Sequence, residues 1–450
     1  MSTTDDLTAG SPLIDARMGI VRSIRHRALH PHLPQGIYHM VATLADATRF
    51  CQWPSDAVAG GCAWWDMVAA RNAAIGEAVE RYSGNLVPRG LRRASYAELA
   101  AAGEPALDPG QLVLFSEAQY KSTGFPFVPL TQQLPVLWAQ GRDLATGERV
   151  LLPACLVYIT YFRATPPTTE PMTNPALYAG IAAGRSREAA ERAALLEVIE
   201  RDAVTLGWLH GLPLPRIKVP DRLSALFSGP ARVLETRLYQ FPNGFGLPVI
   251  GALVRDVDTG ILAMGTACRP HVLDALLKAF AEAAQLHLAA YELDDPESDL
   301  MRWAARSTDP PLKPWRADRR YRQSYRPDWR DVRDLICQLQ LYLDPDMRAP
   351  LEERLAGGPE VELSHVAPGS EYITSLPACL EQLRRNGLRA IAVDLTTSDV
   401  RRLGWHVTRM IVPGVYSNTP AAFPLLGGQR LHASSFAFEN ATCLLPFPHA

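Results

Sequence analysis

Glu77 and Glu80 stand three residues apart, and Glu197 and Glu200 repeat that spacing 120 residues further on. Residues i and i+3 share a helix face, so each pair would present two carboxylates side by side. Four carboxylates converging from two helices are tolerable mainly when cations neutralise them. Hard oxygen ligands of this kind suit Mg²⁺, which is usually held by a few carboxylates together with substrate phosphates. A third segment offers Glu282 and Gln285 at the same spacing.

The elements that must carry these pairs are legible. Residues 69–81 and 189–201 both read AAxxAAxxExxER, and alanine is the strongest helix former while small side chains let elements approach closely. The spacing predicts helices over 66–84 and 186–208, with a third small-apolar helix over 275–285. A plainer reading is open: Glu77 with Arg81 and Glu197 with Arg201 are four apart, as in ordinary helix-surface ion pairs. The duplication and the third copy favour a site. Between the first two helices, residues 136–138 and 150–161 read as strands around an Asp143–Gly147 turn, and residues 249–267 read as a hairpin broken at Asp256–Gly260. Further on, helices at 377–386 and 398–404 alternate with strands at 390–395 and 407–413, which predicts a βαβ unit. The fold class expected is mixed α/β (α+β).

Several longer stretches resemble the YcaO family. Gly76-Glu77-Ala78-x-Glu80-Arg81-Tyr82-Ser83 follows Ala70, and Ala182-Ala183-Gly184 precedes Leu196-Glu197-Val198-Ile199-Glu200-Arg201-Asp202-Ala203 and Trp208. Asp394-Leu395-Thr396-Thr397 leads into Val407-Thr408-Arg409-Met410-Ile411-Val412-Pro413-Gly414. Trp138-x-x-Gly141-x-Asp143-Leu144-x-Thr146-Gly147 with Leu152-Pro153-Ala154 is similar to the strand pair between the family's first two helices. The likeness runs from about residue 40 onward.

The resemblance implies a YcaO-type fold, with pseudo-duplicated helix-on-sheet units lining an ATP site. It implies an ATP- and Mg²⁺-dependent cyclodehydratase of ribosomal peptide biosynthesis that makes thiazolines or oxazolines from Cys, Ser or Thr. An amide oxygen is a poor leaving group because resonance stabilises the amide, whereas a phosphorylated oxygen departs as phosphate. Two other outcomes stay open: a nucleophile from outside, giving a thioamide or amidine, and a fold kept as an ATP-inactive scaffold or partner subunit. On this likeness Glu77, Glu80, Glu197 and Glu200 would hold Mg²⁺. Gly61, Arg81, Arg185, Arg201, Glu282, Gln285 and Arg409 would line the nucleotide. The tail Leu445-Pro446-Phe447-Pro448-His449-Ala450 resembles a Pro-x-Pro-x-Pro segment that completes the active site, which makes Pro446 and Pro448 catalytic candidates; a frayed terminus is the alternative.

The chain also departs from that pattern. The family's Gly-Lys-Gly corresponds to Gly60-Gly61-Cys62, its serine four residues before the first Glu to Ala73, and its Ser-Asn-Gly to Tyr178-Ala179-Gly180. Arg185 takes the place of an Asn, and Ala189, next to Glu188, that of a Glu. The metal-binding half is kept and the nucleotide-binding half is altered; a backbone-amide nest at Gly60-Gly61 is expected to replace part of the lysine's work.

Composition bounds the rest. Hydrophobic residues make up 47% of 450, and 45 Lys and Arg against 47 Asp and Glu leave a formal charge of −2, which gives no global pull toward nucleic acid. The first six residues lack a signal-peptide pattern, and no apolar run approaches ~18 residues, so a cytoplasmic protein without a membrane span is expected. Seven scattered cysteines read as reduced thiols. The domains expected are an N-terminal arm over 1–35 and a YcaO domain over 36–450 with a Pro/Arg-rich insertion around 294–334. From Lys313 to Arg330 seven cations and two aspartates interleave with Trp315, Tyr321, Tyr325 and Trp329; this reads as a peptide or partner surface or a structural insertion ahead of a nucleic-acid surface. The partners expected are the precursor peptide and a separate E1-like or leader-peptide-binding protein, with a homodimer compatible. His30, His32 and His406 read as structural.

Overall fold

A computed structural model describes residues 12–46, 57–163, 170–432 and 442–450; the first eleven residues of the N-terminal segment and Cys51 lie outside these. Fourteen strands are described, which we number in chain order: β1 Val21–His26, β2 Ile37–Leu44, β3 Val58–Trp64, β4 Arg92–Ala94, β5 Val136–Asp143, β6 Arg149–Pro153, β7 Ile181–Gly184, β8 Arg216–Lys218, β9 Leu234–Gln240, β10 Val249–Asp256, β11 Leu262–Cys268, β12 Glu360–Glu362, β13 Ile391–Asp394 and β14 His406–Ile411. The three long helices are α1 Met67–Gly84, α2 Arg187–Leu209 and α3 Val272–Asp294. They lie where the alanine-rich segments were read.

The strands form three sheets: β1-β2-β3; β11-β10-β9-β8-β12; and β4-β5-β13-β14-β7, with β6 paired to β5. Helix α1 packs on β3 and β2 and also on β7, α2 packs on β7, β14 and β11, and α3 packs on β11 and β10. Each of the three helices therefore touches two sheets, α3 through a further contact with β3. The repeated sequence begins alike in both copies. Asp66 caps α1 by accepting the amide of Ala69 at 2.8 Å, and Ser186, 120 residues on, caps α2 by accepting that of Ala189 at 3.1 Å.

Glycine fixes how closely helix and strand approach. A Cβ at Gly61 of β3 would stand 2.3 Å from Ala70 O and 2.2 Å from Ala74 N of α1. At Gly265 of β11 it would stand 2.1 Å from Ala279 O and 2.3 Å from Ala283 N of α3. The same contact, one helical turn wide, recurs on the first and third helices.

Two expectations change. The strand read over 150–161 ends at Pro153, and Ala154–Val157 forms a buried helical turn; a short continuous apolar run carries no period to separate the two. The βαβ reading also fails. Strand β13 pairs with β14 antiparallel, Ile391 opposite Ile411 and Asp394 opposite Thr408, because the connecting helix is only Ser398–Arg402 and parallel strands need a longer crossover.

Within 294–334 the cations are taken up locally: Lys313 with Asp331, Arg316 with Asp318, Arg319 with Asp294, Arg320 with Asp346, and Arg326 and Arg330 with Asp328. Tyr321 and Tyr325 are buried. The six described cysteines are free thiols. Among the described residues no helix is long and apolar enough to cross a membrane.

Candidate active site

The repeat brings its glutamates to one region by the same local device twice. Gly60 N donates to Glu77 Oε2 at 3.0 Å, and Gly180 N donates to Glu197 Oε2 at 3.0 Å. Glu80 then crosses between the copies: its Oε1 accepts the amide of Ala183 in β7 at 2.7 Å. Glu200 turns the other way, toward β11, accepting from Thr266 Oγ1 at 2.7 Å and Cys268 N at 2.9 Å. Helix α3 closes the third side. A Cβ at Gly60 would stand 2.1 Å from Gln285 Nε2, so the absence of one is what admits Gln285.

Arg201 is the central cation. It lies 4.0 Å from Glu197, 3.7 Å from Glu200 and 3.6 Å from Glu282. Burial raises Glu80 to about 8, helped by the neighbouring charges of Glu197 and Glu77 and opposed by the Ala183 amide. Burial also raises Glu197 and Glu282, each against the pull of Arg201, with Lys278 pulling on Glu282 as well. Burial alone would raise Glu200, but Arg201 and the Thr266 hydroxyl hold it below the usual carboxylate range. Glu77, Glu80, Glu197, Glu282 and Gln285 are only partly buried, while Glu200 is enclosed. The carboxylates do not form one tight cage: among the described residues no three of them bring ligand atoms within 4.8 Å of one another. They line a wall, which fits an ion that keeps waters and phosphate oxygens.

Residues 66–416 match the family described as YcaO cyclodehydratase, ATP- and Mg²⁺-binding. The chain belongs to the YcaO family. A Rhizobium leguminosarum bv. trifolii protein, described as an uncharacterized protein in the tfuA 3′ region, is 24% identical over 249 residues, covering 50% of this chain and 54% of that one. A heterocyclase solved with substrate and cofactor superposes with a TM-score of 0.61 at 20% identity, over 90% of this chain and 51% of that one. YcaO from Methanopyrus kandleri, bound with AMPPCP and Mg²⁺, gives 0.57 at 20% identity, over 89% of this chain and 90% of that one. The E. coli microcin synthetase McbBCD complex gives 0.58 at 13%, over 95% of each. At these identities the structural likeness is one of fold, and this chain spans about half the length of the Rhizobium relative and of the heterocyclase.

Within this YcaO chain the remaining expected residues differ in burial and in partners. Arg81 pairs with Glu77 at 3.2 Å and lies over the Tyr178 ring at 4.8 Å, so the helix-surface pairing and the site reading coexist. Arg185 is exposed and lies over Trp405 at 4.1 Å. Arg409 is buried and donates from Nη1 to the carbonyls of Leu177 and Tyr178 at 2.9 and 3.3 Å; burial lowers it to about 10, against the pull of Glu197. The amide nest expected at Gly60-Gly61 is not formed. Gly60 N is taken by Glu77, and Gly61 is buried against α1.

The tail is docked and not frayed. Leu445 O accepts from Trp208 Nε1, Pro446 O from the Tyr342 hydroxyl and Pro448 O from Met264 N, each at 2.7 Å. This carries buried His449 to the site, where Nε2 lies 2.9 Å from Arg201 Nη1 and Nδ1 lies 2.9 Å from Met264 O. Burial and Arg201 push His449 down to about 3. The ring is therefore neutral, with Nδ1–H donating to Met264 and Nε2 accepting from Arg201.

Sequence reasoning missed His449, His39 and Lys278. His39 is buried on β2 with neither ring nitrogen partnered among the described residues, 3.2 Å from the place a Gly60 Cβ would occupy. The signal for Lys278 was present, since it precedes Glu282 by one helical turn. That for His39 was not, because only folding sets β2 beside Gly60.

Proposed function

We propose that this protein is an ATP- and Mg²⁺-dependent cyclodehydratase that converts Cys, Ser or Thr of a ribosomally made precursor peptide to thiazoline or oxazoline. The observation that carries the reading is the pair of matched carboxylate ledges, Gly60–Glu77 and Gly180–Glu197, the first paired with Arg81 and the second 4.0 Å from the partly buried cation Arg201. The donor set is oxygen-only, as Mg²⁺ prefers, and Glu80 keeps its proton to about 8 because burial and the charges of Glu197 and Glu77 outweigh the Ala183 amide and Arg81. These features fit the ion. Glu77, Glu80, Glu197 and Glu200 would hold it, with Glu282 and Gln285 on the third side.

When bound, ATP supplies the phosphoryl group that turns an amide oxygen into departing phosphate. The protein's own part is positioning and charge neutralisation. Arg201, Arg81 and Lys278 supply positive charge along the carboxylate wall. Arg409 holds the carbonyls of Leu177 and Tyr178 and so sets the segment whose Gly180 amide orients Glu197. His449 fixes Arg201 without adding charge.

A partner of the E1-like or leader-binding class is proposed to deliver the peptide. An ATP-inactive scaffold is the second reading, favoured by the absence of a lysine at residues 60–64 and by the engaged Gly60 amide. Calorimetry with Mg²⁺ and a non-hydrolysable ATP analogue, then mass spectrometry after incubation with partner, peptide and ATP, separates them. Loss of one water per processed residue with matching phosphate release is expected. Oxygen-to-sulfur exchange would move the assignment to thioamidation, and absence of nucleotide binding would move it to the scaffold.

A further inference from the structure

His30 and His32 flank Pro31 between β1 and β2, and the chain folds this segment against the turn that joins β10 to β11. His32 Nδ1 lies 2.7 Å from Asp256 Oδ2. One ligand atom from each of His30, His32 and Asp256 lies within 4.8 Å of the others, and among the described residues no other three His, Cys, Asp or Glu side chains do this. We propose that His30, His32 and Asp256 form a zinc-type metal site, distinct from the glutamate wall.

Two imidazoles and one carboxylate suit Zn²⁺ and related transition metals, and not Mg²⁺. Ligand atoms around a tetrahedral zinc stand roughly 3.3 Å apart, so small side-chain rotations close the set, while the His32–Asp256 contact opens by about half an ångström. The proton between His32 Nδ1 and Asp256 leaves on binding. A water would take the fourth position, because both histidines remain partly open to solvent.

The surroundings supply outer support. The Tyr291 hydroxyl donates to Asp256 Oδ2 at 3.0 Å, and the His30 ring stacks on Tyr291 with centroids 4.3 Å apart. Asp256 Oδ1 accepts the amides of Asp258 and Thr259, which fixes the carboxylate plane. Such outer contacts orient a first ligand and raise its affinity. A bound ion would join the N-terminal segment, already tied by Arg27 to Glu292 at 2.7 Å, to the sheet beneath α3.

The competing account is an ion pair in which His30 only stacks. The test is calorimetric titration of the full, chelator-stripped chain with ZnCl₂, with the Co²⁺ visible spectrum as a second readout. One ion per chain is expected, with affinity falling on the order of 100-fold in His30→Ala and in His32→Ala. Asp256→Asn keeps an acceptor for the turn and should lose affinity with its fold intact by circular dichroism. A zinc-dependent rise in melting temperature should appear in wild type only. Absence of wild-type binding at micromolar zinc, or wild-type affinity in His30→Ala, would overturn the site and leave the ion pair.

Discussion

The Glu80 carboxylate on α1 accepts the amide of Ala183, the residue before the glycine that ends β7, at 2.7 Å. This one bond joins the two copies of the repeat, since α1 carries the first glutamate pair and β7 runs into α2, which carries the second. Glu80 is still the most perturbed of the four repeat carboxylates, because its burial and the charges of Glu197 and Glu77 outweigh that one amide.

Glu80 makes stability fall as pH rises. The unfolded chain ionises it near 4.5, while the folded site holds the proton to about 8, so between those values the folded state carries the extra proton and each pH unit costs up to about 1.4 kcal/mol. Glu80→Gln mimics the protonated form, and its urea-unfolding free energy should be flatter than wild type between pH 6.5 and 8. Mg²⁺ with nucleotide should restore wild-type stability at pH 8 and leave the variant unchanged. Equal slopes in both proteins would refute the assignment.

The three helices were legible because alanine periodicity and i, i+3 glutamates are local patterns, and the Asp256–Gly260 turn was legible for the same reason. What the glutamates bond to was not. Gly60 and Gly180 stand 17 residues before their partners, and only strand–helix packing sets their amides against the carboxylates. Gly61 illustrates the gap: its sequence context predicted a phosphate nest, whereas its missing Cβ serves a backbone approach to Ala70 and Ala74. The cluster of His30, His32 and Asp256 lay equally beyond a one-dimensional reading, because Asp256 is more than two hundred residues from the two histidines.

That close approach can be tested by substitution. Gly61→Ala and Gly265→Ala would each drive a Cβ into helix backbone, and rigid neighbours make overpacking cost about 1–3 kcal/mol or more. Gly76→Ala is the contrasting case, since its Cβ would meet Trp405 at an ordinary 3.7 Å and alanine gains up to about 1 kcal/mol over glycine in a helix interior. Chemical denaturation should order the three proteins accordingly, with Gly76→Ala at or above wild type.

Arg201 compensates three partly or fully enclosed carboxylates. Arg201→Met keeps the length and removes the charge, so the protein should lose about 3–5 kcal/mol of unfolding free energy, as for a buried pair deprived of one partner. Removing Glu282 as well, by Arg201→Met with Glu282→Gln, should return part of the loss. An additive double variant would show that the 3.6 Å contact between them carries no coupling.

His449 separates positioning from binding. Its ring holds Arg201 through Nε2 and Met264 through Nδ1, and it touches the carboxylate wall without contributing charge, so His449→Phe should lower turnover about 10–100-fold while the dissociation constant for Mg-ATP changes by less than about threefold. The variant should also change the acid response. The unfolded ring takes a proton near 6.5 but the folded one only near 3, so the unfolded chain carries the extra proton between them and wild-type stability falls as pH falls through that window. His449→Phe removes this slope. Deleting Leu445 to Ala450 should depress turnover further, because it also takes away the acceptors of Trp208, Tyr342 and Met264. Wild-type heterocycle formation after either change would return the tail to a packing role and leave the glutamate wall as the working part of the site.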